Sequence, residues 1–360
     1  MLRKFFTGLV AVGAMLVPVA ISAPVQAAPT SLVPIVSPTD QLAPPPVNPK
    51  GTQPKGVVAP KGNPTKAGDA KAAREANSRA ALLSGPYFHY ALARQTLAVG
   101  EKADGQAANL HIQSPYLDPA DLVNGVHSLG ELAVSDRAGN NVVEVGWTKD
   151  DGVCGSTTTG GVTTINTCMF VFWWKNGVPQ CYNGCGFTEY TANCSVAGQL
   201  CPGDNMTSLV NQQKRFQISR TSNAWWLAYD GVYIGYYLDT LWTGATPSGP
   251  AVTNFKYGEM FSVFYEVASG DPSPCTDMGS GYLGTDPSLL ASRMGSIILL
   301  NPNPSTIVSN FPASAPWKGT GATPTVAGVY DVLALSTQTA RGGGPGWNAA
   351  GTAPGTRGGC

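Results

Sequence analysis

From about Gly85 onward, short apolar runs alternate with Gly, Asn, Asp and Pro. They include ANLHIQ, GELAVSD, NVVEVGW, TCMFVFWWK, KRFQISR, AWWLAY, GVYIGYYL, AVTNFKY and GEMFSVFYEV. Several alternate apolar and polar positions, the mark of half-buried strands, and stretches with helical period are rare. Many short strands with frequent turn signals predict an all-β domain, an antiparallel sandwich or barrel. No second composition shift and no repeat interrupts this texture, so a single folded domain is expected over 85–360.

Strand parity places individual side chains. In NVVEVGW, Val143, Val145 and Trp147 share one face, and Val142, Glu144 and Gly146 share the other. In YGEMFSVFYEV, unbroken alternation puts Tyr257, Glu259, Phe261, Val263 and Tyr265 on one face. Glu266 then falls opposite, as an ordinary outer charge. The chain holds only seven Glu. A carboxylate in mid-strand is costly against a core, so Glu144 and Glu259 are expected to face a groove. Two carboxylates meeting there are the minimal equipment for acid/base hydrolysis.

The N-terminal part reads differently. Met1-Leu2-Arg3-Lys4 is a basic head, Phe5 to Ile21 an apolar run broken by Gly and Pro, and Val25-Gln26-Ala27-Ala28 a small-residue cleavage site. This is the pattern of a secretory signal peptide over 1–27. A Pro-rich leader or pro-segment follows over 28–84, with one short helix expected at 68–83 (GDAKAAREANSRAALL). No later run is long and apolar enough to span a bilayer, so no membrane partner is expected for the mature form.

Eight cysteines lie beyond the signal: Cys154, Cys168, Cys181, Cys185, Cys194, Cys201, Cys275 and Cys360. An even count in an exported chain favours disulfides. Cys181 and Cys185 flank the turn pair Asn183-Gly184. Cys154 and Cys168 bracket a hairpin-like GSTTTGGVTTINT loop, and Cys194 and Cys201 a shorter one. That leaves Cys275 for Cys360, although two long-range bridges from Cys181 and Cys185 are an alternative. With three histidines, no HExxH and no zinc-module spacing, no metal is expected. The histidines His89, His111 and His127 read as surface or structural residues.

Formal net charge is zero and 12% of residues are charged. Without a basic stripe, nucleic acid is not an expected partner. Gly279 to Gly284 fits GxGxxG, but the βαβ context that a dinucleotide site needs is missing, apart from a short helix allowed at Asp286 to Met294. No GxSxG elbow is present. Trp173-Trp174 and Trp225-Trp226 alternate faces, so one member of each pair packs inward and the other lines a surface.

Taken in order, VEVGW, CYNGCGF, WWLAY with VYIGYY, YGEMF, MGSG and Gly343-Gly344-Pro345-Gly346 resemble the neprosin domain family, over roughly Tyr87 to the C-terminus. The resemblance implies a large curved antiparallel β-sandwich, jelly-roll-like, with disulfide-stapled loops. It also implies a secreted glutamic peptidase that cleaves next to proline in acid, without metal or cofactor, on proline-containing peptides or proteins. Its two catalytic glutamates correspond to Glu144 (in Glu144-Val145-Gly146-Trp147) and Glu259 (in Tyr257-Gly258-Glu259). Lys256 and Tyr257 stand where plant members often have Trp-Gly. Two nearby carboxylates share a proton at acid pH; one then serves as base toward water while the other donates to the scissile carbonyl. From motif position, Tyr257, Trp226 and Tyr236 are candidates to line a proline-binding groove. Two other readings use the same residues: a jelly-roll glycoside hydrolase with a Glu pair, and a non-catalytic secreted module binding cell-wall polymer through exposed Trp and Tyr.

Overall fold

The structure is a computed structural model that describes residues 87–118, 127–246, 249–252, 255–269, 275–287, 290–314, 317–319 and 330–345. The expected signal peptide, the leader with its helix over 68–83, and Cys360 lie outside the described residues.

The alternating runs form strands. In chain order they are β1 (Tyr87–Thr96), β2 (Gly105–His111), β3 (His127–Ser135), β4 (Val142–Lys149), β5 (Ser156–Thr159), β6 (Val162–Ile165), β7 (Thr167–Lys175), β8 (Val178–Pro179), β9 (Phe187–Glu189) and β10 (Gln213–Thr221). They continue with β11 (Ala224–Tyr229), β12 (Val232–Leu238), β13 (Gly244–Thr246), β14 (Gly249–Val252), β15 (Met260–Ser269), β16 (Ser292–Leu300), β17 (Ala313–Ser314), β18 (Trp317–Gly319), β19 (Asp331–Ser336) and β20 (Thr339–Gly343). Among the described residues these build two large antiparallel sheets. The first runs β17-β1-β15-β3-β4-β7-β8, with β18 also on β1; the second runs β19-β20-β16-β2-β10-β11-β12-β9. β5 and β6 pair apart as an exposed hairpin. Two helical turns, Asp151–Cys154 and Asn193's turn at Thr191–Cys194, occupy loops.

One face of each sheet meets the other sheet. Val143, Val145, Trp147, Phe261, Val263 and Tyr265 from the first pack in one core with Phe216, Ile218, Trp225, Leu227 and Tyr237 from the second. This is the all-β sandwich expected from the alternation. A second cluster covers the opposite face of the first sheet, with Leu92, Ala133, Phe170, Phe172 and Phe264. β4 is therefore buried on both faces, as befits a strand near the middle of its sheet.

Gly146 shows why β4 needs its glycine. A Cβ there would lie 2.1 Å from the Gly130 carbonyl oxygen and 2.8 Å from Glu131 Cα. Backbone from β3 fills the space, and no side-chain rotation relieves it.

Three loops are stapled as expected: Cys154–Cys168, Cys181–Cys185 and Cys194–Cys201. Cys275 is disulfide-bonded as well. Such bridges fit an extracellular, oxidising compartment. Among the described residues no helix is long and apolar enough to cross a membrane.

Two local expectations give way. AVTNFKY is not one strand: β14 ends at Val252, and Phe255 leaves the sheet to stack on Trp225 at 4.7 Å, its carbonyl accepting the Trp225 indole N–H. Burial of a large ring outweighs local strand preference there. The helix allowed at Asp286 to Met294 gives way to β16, which starts at Ser292 and pairs with β20.

Gly146→Ala is expected to destabilise the fold by about 2–3 kcal/mol, since the added methyl must push β3 from β4. Urea unfolding followed by tryptophan fluorescence measures it.

Candidate active site

Glu144 lies on the face of the first sheet turned away from the second sheet. It stands opposite Ala133 of β3 and Phe172 of β7. Its face-mates are thus small on one side and aromatic on the other. Glu144 is 5% exposed. The Trp174 indole N–H donates to Glu144 Oε1 at 2.9 Å. Parity explains the arrangement: Trp173 enters the core between the sheets, so Trp174 must emerge on the carboxylate's face.

The Cys181–Cys185 loop completes this wall. Asn183 adopts φ 55° in the expected turn, and its backbone and side chain both bond β7 through Val171. Trp173 Nε1–H donates to the Cys185 carbonyl at 3.0 Å. The loop thereby sets Tyr182 against Phe172, with ring centroids 5.0 Å apart, while Phe172 meets Trp174 edge-on at 5.8 Å.

Glu259 precedes β15 by one residue. Its N–H donates to the Ser135 carbonyl, and its own carbonyl accepts from Leu97, so it sits between the ends of β3 and β1. Gly258 before it pairs with Ala103. A Cβ at Gly258 would lie 2.6 Å from both Phe261 and Val134. The Glu259 carboxylate meets the β3–β4 turn: the Arg137 backbone N–H donates to Oε2 and the Arg137 guanidinium lies 3.4 Å from Oε1. Arg137 is anchored in turn, Nη2 donating to the Ala98 carbonyl at 2.6 Å. Asp136 shapes the turn by accepting from the Asn140 and Asn141 amides and the Asn141 side chain.

The expected shared face for Tyr257, Glu259, Phe261, Val263 and Tyr265 is therefore corrected. Phe261, Val263 and Tyr265 are fully buried between the sheets. The chain bends before Met260; Glu259 keeps a side chain 24% exposed and Tyr257 is exposed, with Lys102 above its ring at 4.7 Å. Sealing a carboxylate between two apolar sheets carries a large desolvation cost, which the bend avoids.

Glu266 is not an ordinary outer charge. It is 1% exposed, and His127 Nε2 lies 2.8 Å from its Oε1. His127 Nδ1 is 3.9 Å from Asp150 Oδ2. Burial pushes the Asp150 carboxyl up, against the pull of His127. Burial, and then the Glu144 charge, push the Tyr237 phenol well up. His127 is thus a structural residue inside a buried charge cluster.

Of the residues suggested for substrate, Tyr257 stays beside Glu259 at the sheet end. Trp226 and Tyr236 do not join the carboxylates. Their rings meet at a tilt, with centroids 4.7 Å apart, on the outer face of the second sheet, with the core between them and Glu144. WWLAY belongs to the second sheet, and the alternation that sends Trp225 inward sends Trp226 away. Tyr182 and Arg137 are the side chains that sequence reasoning left out, while Trp174 is the surface-lining member expected of the Trp173-Trp174 pair. Parity in TCMFVFWWK contained a signal for Trp174; Arg137 sits in a turn and had none.

Across the sheet, Glu144 on β4 and Glu259 at the start of β15 are separated by β3 alone. The Neprosin family profile matches residues 124–317, which include both glutamates and the strands that carry them. The chain belongs to the Neprosin family, and its class is that of a glutamic peptidase.

No curated protein sequence matches it. Among solved structures, it is similar to scytalido-glutamic peptidase bound to a transition-state analogue inhibitor, with 8% identity and a TM-score of 0.36 over 72% of this chain and 98% of that one. A second likeness is SCP-B, an Eqolisin-family peptidase bound to the tripeptide Ala-Ile-His, at 8% identity and a TM-score of 0.33, with the same coverage of 72% and 98%. A third is a carbohydrate-binding module from Bacillus subtilis, at 12% identity and a TM-score of 0.23, covering 47% of this chain and 75% of that one.

Trp174→Phe keeps the aromatic wall and removes the hydrogen bond to Glu144. A lost hydrogen bond to a carboxylate is expected to lower kcat about tenfold with little change in KM or thermal midpoint. Steady-state kinetics on a peptide substrate, with a melting curve, checks both.

Proposed function

We propose that this protein is a secreted endopeptidase that cleaves peptide bonds next to proline in acid, using Glu144 and Glu259 as its catalytic pair. The supporting observation is their separate anchoring on one sheet, Glu144 by the Trp174 indole and Glu259 by Arg137.

The two settings suggest different tasks. Glu259 is partly exposed, in an ion pair, and reachable by water; it is the base that takes a proton from the attacking water. Glu144 is buried among rings, with the Trp174 indole N–H held on its Oε1, and is assigned the proton. From there it hydrogen-bonds the scissile carbonyl oxygen and supplies a proton as the carbon–nitrogen bond breaks. Chemistry of this kind uses only the two carboxylates and water. Trp174, half-buried at the edge of the wall it forms with Phe172 and Tyr182, offers a flat face on which a pyrrolidine ring packs, the role first considered for Tyr257, Trp226 and Tyr236.

Glu144→Gln and Glu259→Gln keep shape and remove the proton-transfer group. Each is expected to lower kcat by about 10²–10⁴-fold while the fold persists. Wild-type activity is expected to fall as pH rises and both carboxylates ionise. Near-full activity of either variant on a proline peptide would sink the pair.

The same chemistry bears on residues 28–84, proposed as a leader removed from the mature form. Ten of the 29 prolines lie between Pro29 and Pro64, so a prolyl peptidase has targets in its own leader. Pure wild-type protein is expected to shorten on acidification and Glu259→Gln to remain intact, as read by mass spectrometry. Shortening of the pure variant at the same rate would exclude self-cleavage.

A further inference from the structure

The register of the first sheet sets five residues in one straight row across the strands. Arg94 on β1 faces Ser262 on β15, Ser262 faces Ala133 on β3, Ala133 faces Glu144 on β4, and Glu144 faces Phe172 on β7. Residues directly opposite in antiparallel strands point to the same side. The row therefore begins at a guanidinium, crosses two small residues, reaches the buried carboxylate and ends at the aromatic wall.

Beside the row on the same face, Met260 and Phe264 flank Ser262, Glu131 and Ser135 flank Ala133, and Val142 and Gly146 flank Glu144. Ser262 and Ala133, the two small residues between Arg94 and Glu144, are themselves buried.

Arg94 is exposed. Its Nε–H donates to Ser262 Oγ at 3.1 Å, which aims the guanidinium along the row. Among the described residues, Nη1 and Nη2 have no protein hydrogen-bond partner. On β3 and β15 the charged residues of this face, Glu131, Glu266 and His127, are buried. An arginine held by one nitrogen presents the remaining fork to a planar anion, and a carboxylate fits it bidentately.

We propose that Arg94 is a specificity-determining residue that binds a carboxylate of the peptide substrate. This rests on the reading of Glu144 as part of the catalytic pair. Three strand spacings separate the Arg94 and Glu144 backbones, about 14 Å. An extended peptide rises about 3.3 Å per residue, so the recognised carboxylate lies about three to five residues from the scissile bond. It belongs to an Asp or Glu side chain, or to the C-terminus of a short substrate.

The test uses proline-containing peptides in which a single Glu or Gln is walked along both sides of the proline, each with a free or an amidated C-terminus. Binding to the Glu144→Gln protein is measured by calorimetry at pH 5, where a side-chain Glu is largely ionised; cleavage by the wild-type protein is measured in parallel. One Glu register, or the free C-terminus, is expected to bind at least tenfold tighter than its neutral counterpart. Amidation separates the two sources. Arg94→Gln in the same background is expected to erase the difference, Arg94→Lys to restore part of it, and Arg94→Glu to reverse it toward a Lys-bearing peptide.

Equal binding of Glu and Gln peptides at every register, with free and amidated ends alike, overturns the proposal. So does a charge preference that survives Arg94→Gln. A preference for carboxylates without any cleavage by the wild-type protein would leave Arg94 in place and overturn the peptidase reading instead.

Discussion

The cost of removing a carboxylate from water governs this structure more than any other single interaction. The first sheet is covered on one side by the second, through a continuous layer of Val, Phe, Tyr and Trp. A glutamate on any central strand must therefore avoid that side or carry a large desolvation cost. Glu144 avoids it by strand parity and finds an indole N–H. Glu259 avoids it by a bend in the chain and finds a guanidinium. The same rule accounts for Glu266, buried on the outer face but paired with His127. Each of these three carboxylates has a donor, and the donor fixes an oxygen's position.

Around that constraint the loops act as scaffolding for the site rather than as connections only. The Cys181–Cys185 loop docks on β7 through Asn183 and delivers Tyr182 to the aromatic wall. The β3–β4 turn, shaped by Asp136, presents Arg137 to Glu259. The site is thus built on the rigid middle and one end of a sheet, with two ordered loops closing around it. Such placement holds the two carboxylates in fixed positions, because the strands cannot shift without breaking the core behind them.

Much of this was legible along the chain. The period-two runs marked β3, β4, β7, β10, β11, β12 and β15, and their parity put Val143, Val145 and Trp147 inward and Glu144 outward. Cysteine spacing marked three stapled loops. Unbroken alternation misleads at one place: it gives Glu259 the face of Phe261, Val263 and Tyr265, which is the core face, because the bend before Met260 leaves no sign in a run of strand-forming residues. Alternation alone makes Glu266 a solvated charge, because nothing in its own strand reveals that the His127 ring will reach it.

What the sequence determined by itself was the alternation within each strand and the motifs that mark the family, since both depend on residues close together in the chain. Which strands become neighbours, and in what register, only the tertiary structure decided. That choice placed Trp174 and Phe172 beside Glu144, left Trp226 and Tyr236 on the far side of the sandwich, and aligned Arg94 with the carboxylate across three strands. Pairing energies are set by contacts between residues far apart in sequence. A strand's own pattern specifies which of its faces is apolar, but not whose side chains will share the other.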